Sequence, residues 1–144
     1  MPNSVYEKYL EEEILHADPV QLVSILYRAA KEATAEARAH LRRHAIKDRS
    51  AAITKASEII AHLMLSVDRA AGNEIGRNLI ELYAYMQTRL TEANFQQIEP
   101  PLAEVENLLT TLLHAWEQTG HPSIAPAGKS ASQEEEYSPV SCSY

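Results

Sequence analysis

A chain of 144 residues and 16.1 kDa has the size of one domain, enough to bury a sizeable core and an argument against a two-domain enzyme. With 45% hydrophobic and 23% charged residues, wholesale disorder and a collagen-like fibre are excluded, while only 4 Gly, 1 Phe and 1 Trp speak against a β-sandwich or a Gly-rich nucleotide-binding sheet and for helices throughout. The formal net charge of -7 has the wrong sign for a protein that holds nucleic-acid phosphates.

The first predicted element is a short amphipathic segment over residues 1–17. Tyr6, Tyr9, Leu10 and Ile14 recur there at three- to four-residue spacing among Glu7, Glu11, Glu12 and Glu13. A helix start follows at Asp18, Pro19 and Gln21: a capping carboxylate, a proline at the first helical position and a capping-box glutamine. That helix is expected to run to about His44. A second begins at Asp48 and carries Ala52, Ile53, Ala56, Ile59, Ile60, Leu63, Met64 and Val67 at helical spacing, ending near Ala71 before Gly72. Asn73 is expected to cap the third, whose stripe is Ile75, Leu79, Leu82, Met86, Leu90 and Ala93. Pro100 and Pro101 open the fourth, which carries Leu102, Val105, Leu108, Leu109, Leu112, Leu113 and Trp116 and stops at Gly120. Residues 121–144 combine prolines and serines with the acids Glu134, Glu135 and Glu136, show no apolar period, and are expected to form a disordered acidic tail. The fold class is therefore all-α: an antiparallel up-and-down four-helix bundle over 18–120, with an N-terminal lid segment over 1–17 and a tail over 121–144.

Placing side chains at 100° per residue measures how much surface each helix must hide. The second and fourth helices keep their apolar residues within arcs of about 140° and 160°, enough for one bundle-facing side. The first is wider, because Val20, Val23, Tyr27 and Ala30 run beside the line of Leu22, Leu26, Ala29 and Ala33 and open the arc to about 220°. The third shows the same excess at Ile80 and Tyr83. Such a second stripe is either the ordinary greasy surface of a small bundle or, as is commoner for a contiguous stripe, the mark of a partner or a covering segment, and residues 1–17 supply a segment able to lie over a groove and to leave it.

Tyr6 and Tyr9 are followed by Ala17, Asp18, Pro19, Leu22, Leu26 and Tyr27. Further on come Leu82, Tyr83, Ala84, Tyr85 and Met86, then Arg89, Leu90, Glu92, Ala93 and Asn94, and last Ala115 with Trp116. In this order and spacing, over residues 6–117, these residues resemble a known family, the flagellar export chaperones for flagellin called FliS. Two positions depart from the family pattern, which often has Thr where His16 stands and Ser or Thr where Asp18 stands. The resemblance implies a helical bundle in the bacterial cytoplasm that binds the C-terminal helical segment of newly made flagellin, prevents its premature polymerisation and delivers it to the flagellar type III export apparatus and its gate. It also implies that the N-terminal segment occupies part of the client surface when no client is bound. On that footing Tyr6, Tyr9, Leu10 and Ile14 form the mobile lid, and Leu22, Val23, Tyr27, Ile80 and Tyr83 contact the client or the lid. The plainer alternative assigns Leu22 to the bundle core and makes Tyr27 and Tyr83 boundary residues whose hydroxyls reach water.

His40 and His44 are four apart, the spacing of two imidazoles on one helical face, but Arg38, Arg42, Arg43 and Lys47 around them repel a cation, so no metal site is expected. That basic cluster either docks an acidic partner or compensates the carbonyl end of its helix. Glu13 with His16 precedes the bundle and Glu58 with His62 has the wrong interval for a di-iron site. Gly72, Asn73 and Gly76 lack the pattern of a phosphate loop. Cys142, Ser138 and Ser141 lie in the tail, where no base is held to activate them. No catalytic residue and no cofactor are expected. The lone Cys142 implies a reducing compartment. The lack of a long apolar run and of a signal-peptide pattern implies no membrane insertion and a cytoplasmic location. Two other classes remain open: a helical adaptor or structural bundle that self-associates through the first and third helices without binding flagellin, and, more remotely, a metal-dependent bundle enzyme.

Overall fold

The structure, a computed structural model, describes residues 4–16, 18–67 and 74–119, with side chains from residue 7 to residue 118. Five helices follow in order: α1 (Ser4–His16), α2 (Pro19–Arg42), α3 (Ile46–Ser66), α4 (Glu74–Gln96) and α5 (Pro100–Thr119), with no strand among the described residues. The expected break at Gly72, the cap at Asn73, the stop at Gly120, the Tyr6 side chain and the tail 121–144 with Cys142 lie outside the described residues.

Helices α2 to α5 close a ring in which α2 packs on α3 and α5, and α4 on α3 and α5. Their directions follow from side-chain pairs. Arg49 of α3 bonds Asn94 near the end of α4, while Gln87 of α4 donates to the Ser57 carbonyl further along α3. Arg28 pairs with Glu117 and Arg38 with Glu106 across α2 and α5. In both cases numbers rise on one helix as they fall on the other, so the neighbours are antiparallel, as the short links 43–45 and 97–99 demand.

Local chemistry sets the ends. The Asp18 carboxylate accepts the Gln21 N–H at 2.7 Å and the Gln21 side chain accepts the Asp18 N–H at 3.4 Å, the reciprocal cap expected from sequence. Helix α2 stops at Arg42, two residues before the expected His44, because His44 turns into the left-handed region at φ 60°. The N–H groups of His44 and Ala45 then reach back to the carbonyls of Leu41 and His40. The same device ends α4, with Gln97 at φ 58° and the Ile98 N–H on the Ala93 carbonyl. Having reversed at His44, the chain re-enters a helix at Ile46 rather than Asp48. Asp48 lies in the first turn, where its charge faces the positive helix end.

The wide apolar arcs have an internal explanation. Helix α2 touches two bundle neighbours and lies under α1, so both of its stripes are buried: Leu26, Ala29 and Ala33 on one side, Val23, Tyr27 and Ala30 on the other. Alanines at 29, 30, 33 and 37 let the adjoining helices approach closely. On α4 the supposed surplus residue Tyr83 is fully buried, whereas Ile75, placed on the inward stripe by its spacing, is half exposed. The expectation that Tyr27 and Tyr83 are surface residues is corrected: they form the centre of the core. The basic cluster is likewise turned inward in part. Arg38 spans Glu99 at 2.9 Å and Glu106 at 2.8 Å, and Arg42 grips Glu99 as well, so these arginines join α2 to α5.

Candidate functional site

Helix α1 is positioned by the Asp18–Pro19 start of α2, which reverses the chain and lays α1 back over the bundle. Its register follows from two pairs of neighbours. Ile14 shares a cavity wall with His62 and Leu65 of α3, and Glu7 reaches Lys55 of the same helix at 3.7 Å. Helix α1 therefore runs parallel to α3 and antiparallel to α2. Leu10 and Ile14, one turn apart, point into the bundle and are half-buried against the core; Tyr9 and Leu15 face outward.

A cleft flanks α1 on each side. Toward α3 lies an apolar cavity of about 480 Å³ walled by Ile14, Pro19, Leu22, Val23, Leu26, His62, Leu65 and Ser66. Two half-buried aliphatic side chains do not fill it, and Leu65 on its rim is 72% exposed. On the other flank a more polar cavity of about 630 Å³ is lined by Tyr9, Glu12, Glu13, His16, Val20, Gln21, Ser24, Ile25 and Arg28. This second cleft faces α5, because Arg28 pairs with Glu117 and the Trp116 indole N–H donates to the Val20 carbonyl at 3.3 Å. The larger cleft is acidic and open; the smaller one is a groove suited to an apolar helix face.

The core of the bundle holds a buried polar contact. The Tyr27 and Tyr83 hydroxyls are 2.6 Å apart, joining α2 to α4 across the bundle, with the rings tilted at 54° and 6.5 Å between centroids. Burial pushes both phenols above their ordinary value. At Tyr27 the hydrogen bond shared with Tyr83 offsets part of that rise, whereas at Tyr83 the neighbouring phenol adds to it. Both stay neutral, and the pair acts as a structural cross-link.

The structure thus brings together Ile14, Leu22 and Val23 around one groove, with Leu10 packed on the same core and Tyr9 at the edge of the opposite cleft. It does not bring Ile80 to them. That half-buried residue of α4 packs against the core and lines neither cleft. Leu65 and His62 on the groove wall were missed by sequence reasoning, since Leu65 falls off the α3 stripe. Its only signal is a large apolar residue placed where the pattern calls for a polar one.

Among the described residues no group of three or more His, Cys, Asp or Glu side chains is placed to hold a metal, and no helix is long and apolar enough to cross a membrane. The His40 ring nitrogen lies 2.9 Å from Arg43.

Comparison with known proteins adds a second line of argument. The family model described as "Flagellar protein FliS" matches residues 1–123. A flagellar secretion chaperone FliS from Salmonella typhimurium is 36% identical over 110 residues, covering 76% of this chain and 82% of that protein. The flagellar secretion chaperone FliSB of Pseudomonas aeruginosa is 34% identical, covering 78% of this chain and 89% of its own length. The FliS of Bacillus subtilis is 27% identical over 78% of this chain and 84% of that protein.

Proposed function

The chain belongs to the FliS family of flagellar secretion chaperones, and from that premise we propose that it binds the helical C-terminal segment of flagellin in the bacterial cytoplasm, keeps it from polymerising early and carries it to the gate of the flagellar type III export apparatus. The observation that carries this reading is a thinly held helix lying over an apolar groove that it fills only in part. An amphipathic client helix with a larger apolar face than α1 gains by taking its place.

The energetics favour exchange. Half-burial of Leu10 and Ile14 contributes about 2 kcal/mol together, and the Glu7–Lys55 pair, whose carboxylate faces solvent, adds about 1 kcal/mol. A 13-residue helix is marginal on its own. Tyr6, Tyr9, Leu10 and Ile14 therefore serve as the lid, Leu22 and Val23 as the wall that the lid and the client share, and Ile80 as a contact for a client that continues past α3. Tyr27 and Tyr83 act from within the core, fixing the spacing of α2 and α4. The protein acts by binding, with no bond made or broken.

Titration calorimetry of the full chain with a flagellin C-terminal fragment tests this. A one-to-one complex that competes with α1 is expected, and Leu22→Asp weakens it at least tenfold while the melting temperature moves only a few degrees. A chain that ignores the fragment and instead self-associates at every concentration overturns the proposal in favour of the adaptor reading.

A further inference from the structure

At the end of the bundle far from α1, where the links 43–45 and 97–99 lie side by side, the described surface is both greasy and basic. Phe95 is 86% exposed and Ile46 56% exposed, with Ile98 next to them at 37%. Arg43 and Lys47 stand exposed in the same region, and neither meets a carboxylate within ion-pair distance among the described residues, unlike Arg38 and Arg42, which are engaged by Glu99 and Glu106. His44 and Ile46 also border a cavity of about 250 Å³, room for one side chain. Exposed apolar side chains at the same end as cations that meet no carboxylate fit a segment that carries acids next to an aromatic or aliphatic residue.

The chain itself contains such a segment in Glu134, Glu135, Glu136, Tyr137 and Val140. We infer that residues 134–140 dock on this far end, with the acidic triplet against Arg43 and Lys47 and with Tyr137 and Val140 against Phe95 and Ile46. Reach permits it: extended, residues 120–133 span at most about 46 Å, against about 30 Å for the length of α5 that must be retraced. Charge directs it. The end where α5 finishes is the acidic one, with Glu12 and Glu13 around the open cleft beside α1, so the triplet is repelled where it emerges and attracted where the two short links lie. Tethering raises the local concentration of the segment to the millimolar range, so a weak contact suffices to hold it. This docking is independent of the client groove and stands or falls without it.

The single cysteine gives the test, because a nitroxide on Cys142 labels the full chain at one place. In low salt the label is expected to broaden amide signals of residues 43–48 and 95–98 severalfold more than those of 20–30. The excess should vanish in the triple variant Glu134→Lys, Glu135→Lys, Glu136→Lys, in Lys47→Glu combined with Arg43→Glu, and in concentrated salt. The tail substitutions leave the bundle residues untouched, so loss of fold cannot imitate the result. Uniform broadening, broadening centred on α1, or an excess that survives charge reversal overturns the inference. Broadening that appears only when labelled and isotope-enriched chains are mixed assigns the contact to a second copy and overturns it as well.

Discussion

Tyr27 and Tyr83 mark where sequence reasoning stopped at the level of single residues. Arc counting placed each beside an apolar stripe, which is correct as angular position, but which side of a helix meets a neighbour depends on the helices around it. The partner of the Tyr27 hydroxyl lies 56 residues away, beyond any periodic signal. Two buried hydroxyls in one hydrogen bond have a testable signature. Removing one leaves the other desolvated and unsatisfied, so Tyr27→Phe or Tyr83→Phe costs about 1–3 kcal/mol. Removing both leaves two apolar rings of nearly the same shape, so the double variant costs no more than about one single change. Urea unfolding of the four proteins measures the coupling; additive losses would mean that each hydroxyl is satisfied independently. Tyr27→Glu is expected to unfold the chain outright, because it buries a carboxylate at a position only 1% exposed.

At the scale of elements, the identity and order of the helices were legible because their signals are local: the Asp18–Pro19–Gln21 cap, the Pro100–Pro101 start and the apolar period of α3. Two boundaries were displaced at the α2–α3 turn, where His44 takes a left-handed backbone that a non-glycine residue rarely signals. Helix α1 was visible as a pattern, but the groove beneath it was not, since its walls join residues from α1, α2 and α3. Its weak attachment can be measured directly. Backbone amides of α1 are expected to exchange with solvent orders of magnitude faster than those of α2, which take part in global unfolding. Replacing Ile14 by Ser removes one of the two aliphatic anchors and is expected to raise exchange across all of α1 while leaving the melting temperature within a few degrees of the original. Protection of α1 equal to that of α2 would make it a fifth member of the bundle rather than a lid.

Taken as a whole, the bundle is closed by α5, and the charges that fasten α5 to its neighbours are carboxylates near its start. Glu99 is gripped first by Arg42 and then by Arg38 of α2; Glu104 accepts a hydrogen bond from Tyr85 and another from Arg89 of α4. Both carboxyls are held below their ordinary value of 4.5 by these partners. A lowered native value means that the folded state prefers the ionised form. The stabilisation is therefore complete above about pH 4.5 and is lost as the pH falls through the native values below it. Acid should loosen α5 from α2 and α4 together, where neutral bundle contacts alone would leave a flat profile. Thermal melts between pH 7 and pH 3 are expected to show a falling limb below about 4.5, shallower in high salt because both groups touch solvent. Glu99→Gln should lower the neutral plateau, flatten the limb and meet the original curve at the acid end. Parallel curves would remove Glu99 from the account and leave α5 fastened by Glu104, Glu106 and Glu117 with the hydrophobic seam of Leu102, Val105 and Leu109.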